Sequence, residues 1–117
     1  MQIEALLRTE FGEAYLEKLC LHFARRVPVS IVGRQGVIEF SFGRCRIDVD
    51  DNRMRLHVDL NDAERASHAE RLLTEHLLRI LQGEDDPRMH WSRILEGNDG
   101  LFEYYFRKTL SASIPNS

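Results

Sequence analysis

From Gly36 to Leu60 the sequence alternates apolar and polar residues through three consecutive runs, a pattern that few chain geometries satisfy. Ile38, Phe40 and Phe42 alternate with Glu39 and Ser41. Cys45, Ile47 and Val49 alternate with Arg44, Arg46 and Asp48, and Met54, Leu56, Val58 and Leu60 with Arg55, His57 and Asp59. Successive side chains on a strand leave opposite faces of the pleat, so a period of two marks strands buried on one face. Glycine or Asp/Asn separates the runs, which predicts an antiparallel meander. A hairpin loop at Gly43-Arg44 sets Phe42 against Cys45, Phe40 against Ile47 and Ile38 against Val49. A second loop at Asp51-Asn52 sets Val49 against Met54, Ile47 against Leu56 and Cys45 against Val58. Every apolar residue then shares one face, and a one-residue slip scatters them.

Upstream, residues 2–8 alternate as a strand with Ile3, Ala5 and Leu7 inward, although Leu6 interrupts the pattern and a helix is the competing reading. From Glu10 the period changes. Gly12, Leu16, Leu19, Cys20, Phe23 and Val27 fall within one arc at 3.6 residues per turn, with Thr9 as the expected N-cap and Pro28 as the stop. Val29 to Val32 read as a short strand, and residues 33–36 turn the chain into the meander. Asn61 with Glu64 has the form of a capping box, opening a second helix whose buried stripe is Ala66, Ala69, Leu73, Leu77 and Ile80 and whose C-terminal cap is Gly83. Met89, His90 and Trp91 suggest a last short strand. Because one sheet face is apolar and the other charged, both helices belong on the same face. The expected architecture is an α+β two-layer sandwich, a mainly antiparallel sheet under two helices in the order β-α-β-β-β-β-α. The sandwich is expected to span residues 1–91, followed by an extension over 92–117 that is helical around 99–110.

A formal net charge of -3, with 30% charged residues in 117, argues against sequence-independent binding to a polyanion, and no nucleic-acid partner is expected. No apolar run approaches membrane-spanning length, and Met1 to Thr9 lacks the basic flank and apolar stretch of a secretory leader. A cytoplasmic location without membrane contact is therefore expected. Cys20 and Cys45 fall on apolar faces and read as small buried hydrophobes rather than a disulfide. The sequence holds no Gly-rich phosphate loop, nucleophile-elbow serine or paired-cysteine metal motif, so neither a catalytic residue nor a cofactor is expected.

Several stretches resemble a bacterial family, domain of unknown function 2218. They are Leu19-Cys20-Leu21-His22-Phe23 followed by Val27-Pro28-Val29, then Gly36-Val37-Ile38-Glu39-Phe40, Gly43-Arg44-Cys45, and His76-Leu77 with Arg79 and a later Trp91. The resemblance covers roughly residues 3–91. Arg25 and Arg26 stand where that family shows a second histidine and a lysine. The resemblance implies a sandwich similar to the TATA-binding-protein-like or phosphohexomutase C-terminal fold. It also implies a setting beside, or fused to, siderophore-interacting flavin reductases, which is an association with iron utilisation and not an assigned activity.

Three groups of residues are candidates for function. His22 and His76, one from each helix, converge with Cys45 at the sheet centre, or with Cys20, if both helices lean on one face. Imidazole and thiolate there suit zinc, iron or copper, or a small ligand. The polar sheet face carries Arg44, Arg46, Arg53, Arg55 and His57, but the expected register sets Arg53 opposite Asp50, Arg55 opposite Asp48 and Arg44 opposite Asp59, pairing much of the charge internally. Leu101, Phe102, Tyr104, Tyr105 and Phe106 concentrate apolar surface beyond the sandwich, and they either pack back over it or form a contact with a second copy or a protein partner. The expected function is that of a non-enzymatic binding or interaction module that self-associates or meets a protein partner. The alternative is a metal or small-ligand site at the helix-sheet junction.

Overall fold

The computed structural model describes residues 1–81 and 89–94. In chain order these form β1 (Gln2–Arg8), α1 (Gly12–Phe23), β2 (Val29–Val32), β3 (Gln35–Phe40), β4 (Gly43–Val49), β5 (Arg53–Leu60), α2 (Ala66–Ile80) and β6 (His90–Ile94), with a 3-10 turn at Ala63–Arg65 leading into α2. One sheet holds all six strands in the order β2-β3-β4-β5-β1-β6, and every neighbouring pair is antiparallel. α1 carries the chain across β5, β4 and β3, whereas α2 crosses only β1. Both helices lie on one face and touch each other, giving the two-layer α+β sandwich that the alternation requires.

The core is the apolar face of the meander closed from above. Ile3, Ile38, Cys45, Ile47, Met54, Leu56 and Val58 of the sheet are fully buried, as are Tyr15 of α1 and Ala69, Leu73 and Leu77 of α2. α1 sits close over β3 because Gly36 lacks a side chain. A Cβ there would lie 2.7 Å from Leu16 Cδ1 and 3.1 Å from Cys20 Sγ.

The β4–β5 hairpin has the register read from the sequence, with Val49 opposite Met54, Ile47 opposite Leu56 and Cys45 opposite Val58. The β3–β4 hairpin does not. Its turn is Ser41-Phe42, so Phe40 faces Gly43, Ile38 faces Cys45 and Gly36 faces Ile47. The partners differ from the expected ones by four residues, an even number, so the apolar face survives the change. Gly43 decides between the two registers. Its φ is 151°, and a Cβ would fall 2.1 Å from the Asp59 carbonyl oxygen, so it serves as the close-contact residue that opens β4 and not as a loop residue. Phe42, although in the turn, folds back into the core and is only 4% exposed.

The helix starts also differ in detail. Thr9 is buried, and its hydroxyl accepts from the Phe11 amide (2.9 Å), making a turn ahead of α1 instead of capping it directly. Asp62, not Asn61, caps the second helical segment by accepting from the Glu64 amide (3.0 Å). Asn61 instead ties down the β3–β4 turn, donating its amide to the Phe42 carbonyl and its side chain to the Ser41 carbonyl. α2 ends at Ile80, and Gly83 lies outside the described residues, as do residues 99–110. β6 continues to Ile94, so Ser92, Arg93 and Ile94 belong to the sheet. Arg93 binds Glu70 and Ser67 of α2, and Trp91 Nε1 donates to Thr74 Oγ1 (2.8 Å).

Candidate imidazole and arginine site

α1 and α2 leave a seam between them, and each helix places a histidine in it. The rings of His22 and His76 lie 4.6 Å apart, tilted by 53°. Both also pack on Phe23, at 5.0 Å from His22 and 4.8 Å from His76. The contacts continue from Phe23 to Phe40 (4.8 Å), from Phe40 to Phe42 (4.7 Å, stacked) and from Phe42 to His68 (5.6 Å). A run of rings therefore links the last turn of α1, the end of β3, the Ser41-Phe42 turn and the first turn of α2.

The chemistry of the two imidazoles is set by their neighbours. His76 Nδ1 lies 2.7 Å from the Leu72 carbonyl oxygen. A carbonyl only accepts, so Nδ1 carries the proton and Nε2 is the nitrogen left to meet a ligand. Desolvation lowers the proton affinity of the His22 ring below its ordinary value of 6.5, and the positive fields of His76, Arg26, Arg79 and Arg25 lower it further. The charges that lower it, after desolvation, are cations, a field that favours an anion over a further cation beside the ring.

Cys45 does not join the histidines. It is fully buried at the centre of β4, where burial first and the neighbouring Cys20 second push its thiol up to about 12. Cys20 is also buried, and burial raises its pKa too. Both are free thiols held in the core. Among the described residues, no three His, Cys, Asp or Glu side chains gather in a way that could hold a metal ion. Leu101, Phe102, Tyr104, Tyr105 and Phe106 lie outside the described residues.

A family model whose description reads "uncharacterized protein conserved in bacteria", domain of unknown function 2218, matches residues 4–92. The chain belongs to that family. The domain of unknown function 2218 thus takes in β1 through the middle of β6, including both histidines of the seam. No curated protein matches the sequence. Among solved structures, the NMR structure of PA4090 from Pseudomonas aeruginosa is similar at 20% identity. The match covers 78% of this chain and 94% of that one with a TM-score of 0.64, a likeness of fold.

Sequence reasoning placed His22 and His76 on converging helices but overlooked the residues that define their environment. The available signal was a repeated spacing. His22 and Arg25, His68 and Arg71, and His76 and Arg79 each stand three residues apart, about one helical turn. On the opposite face, the register sets Arg55 against Asp48 and Arg44 against Asp59 as expected, and Arg53 pairs with Asp50 (3.1 Å). Arg44, however, closes its ion pair with Glu39 across the corrected hairpin (2.9 Å). His57 on that face meets Glu4 through Nδ1 (2.9 Å), and its buried Nε2 has no partner among the described residues.

Proposed function

We propose that this chain is a non-enzymatic binding module that takes a small anionic ligand at the His22–His76 seam. The observation that carries the proposal is the pair of imidazoles packed 4.6 Å apart in the field of Arg25, Arg26 and Arg79. Guanidinium groups bind carboxylate or phosphate oxygens through paired hydrogen bonds, and the exposed His22 ring offers a face for a ligand's plane. The family resemblance suggests the setting. Neighbouring siderophore-interacting reductases point to anionic iron chelates as the first class to try, and the seam's charge matches their sign. No helix among the described residues is long and apolar enough to cross a membrane, which is compatible with action in the cytoplasm.

The test is an amide and imidazole chemical-shift titration of the full chain with citrate, 2,3-dihydroxybenzoate, inorganic phosphate and, separately, zinc. Support consists of shifts centred on His22, Phe23 and His76 with at least one anion, weakened several-fold in Arg26→Gln and Arg79→Gln and further by added salt. Stoichiometric zinc binding at the imidazoles would favour the metal reading instead, and no anion-dependent shift at millimolar concentration would end the proposal.

A further inference from the structure

The sheet has an outer edge whose residues complement themselves. Among the described residues β2 is the terminal strand of the sheet, and Val29, Ser30, Ile31 and Val32 carry no charge. Natural edges are usually blunted by charge, proline or cover, because unpaired backbone groups recruit further strands. Here Val32 is 77% and Ile31 42% exposed. The phase of the ladder identifies the outward groups. Glu39 donates its amide to the Pro28 carbonyl (3.0 Å), so Pro28–Glu39, Ser30–Val37 and Val32–Gln35 are the hydrogen-bonded pairs of β2 with β3. Val29 and Ile31 consequently aim their N–H and C=O groups away from the sheet.

A groove of about 690 Å³ runs between this edge and α1, walled by Phe11, Leu16 and Ile31. Its lining carries five carboxylates, including Glu13 and Glu17, against Arg34, which is already engaged by Glu13 and Asp51. The groove is therefore acidic. It lies by the start of α1 and the end of β2, whereas Arg25 and Arg26 lie at the other end of both elements.

We propose that a second copy of this chain docks on this edge, β2 pairing antiparallel with its counterpart about a twofold axis at Ser30. Val29 of each copy then faces Ile31 of the other, and each such pair exchanges both N–H···O bonds. The side chains of these residues lie on the helix side of the sheet, so the contact covers the exposed Ile31 and extends the apolar layer. Antiparallel strands also reverse the helices. The acidic groove of each copy then faces Arg25 of the other, twice over, while Arg26 and Arg79 serve the seam.

Sedimentation velocity of the full chain, from micromolar to near-millimolar concentration, tests the pairing. Wild type is expected to dimerise. Ser30→Lys sets like charges opposite each other at the axis without touching the core and is expected to weaken the dimer several-fold. Ile31→Pro removes an outward amide while sparing the β2–β3 ladder and is expected to abolish it. Far-UV circular dichroism checks that each variant folds, and Ser30→Lys alone suffices if Ile31→Pro does not. A monomer throughout, or a dimer that Ser30→Lys leaves unchanged, overturns the proposal.

Discussion

Gly43→Ala puts the corrected hairpin register at risk in a single atom. Its φ of 151° lies where L side chains rarely go, a strain of about 1–3 kcal/mol. The new Cβ would also stand 2.1 Å from the Asp59 carbonyl oxygen and 3.0 Å from Leu60 Cα, both backbone atoms of β5. Backbone at this end of the ladder yields only by loosening the terminal Gly43–Leu60 pairing, at an overpacking cost of about 1–3 kcal/mol. The stiffer unfolded chain returns about 0.4–1 kcal/mol. The net loss is about 1–5.6 kcal/mol, a sizeable part of the roughly 5–15 kcal/mol that holds an ordinary domain together. Gly33→Ala is the control, because Gly33 has a φ of 61° with nothing among the described residues within 4 Å of its would-be Cβ, so only the backbone cost of about 1–2 kcal/mol applies, less the same return of about 0.4–1 kcal/mol. Urea unfolding followed by circular dichroism measures both. A Gly43→Ala loss no larger than that of Gly33→Ala, with an unchanged slope, would refute the close approach and restore Gly43-Arg44 as the loop.

Other expectations follow from the same geometry. Neither Cys20 nor Cys45 should react with Ellman's reagent in the native protein, since burial keeps both protonated and shielded, and both should react once the chain is unfolded; rapid native labelling of either thiol would contradict this. Trp91→Phe removes the bond to half-buried Thr74 and should cost about 1–2 kcal/mol in urea unfolding, whereas a loss below about 0.5 kcal/mol would contradict this bond as a tie between β6 and α2. Arg93→Ala should cost less, up to about 1 kcal/mol, because its pairing with Glu70 is partly exposed. Because the folded His22 pKa lies below the unfolded value of 6.5, its contribution favours the fold above that pH and is lost as pH falls through the folded pKa. Arg26→Gln and Arg79→Gln should each raise that pKa in an NMR titration, and a fall in either variant would contradict the assigned field.

The strands were legible because burial on one face imposes a period of two, and residues as different as Cys45, Met54 and Val58 all obey it. The β4–β5 register was legible too, since Asp50 accepts from the Asn52 and Arg53 amides and so fixes the turn locally. The β3–β4 register was not, because two turns four residues apart give the same face. The choice between them rests on a backbone contact with β5, distant in sequence. Tyr15 illustrates a similar limit. It is not among the arc residues Gly12, Leu16, Leu19, Cys20, Phe23 and Val27, yet it is fully buried. At the site, convergence of His22 and His76 could be inferred from two helices on one face. The exclusion of Cys45 could not, because alternation says which face a residue takes but not how far along the strand a helix histidine reaches. The cationic field on His22 depends on Arg26 and Arg79, which come from different elements and meet only in the folded chain.

The central claim, that the seam takes an anion, can be tested by the direction of one shift. The pKa of His22, followed by imidazole NMR with and without saturating citrate, must rise on binding, since an anion that favours the protonated ring raises its proton affinity by linkage. A rise that is diminished in Arg79→Gln is the predicted result. An unchanged pKa, or a fall of the kind produced when a metal competes with the proton, would contradict it.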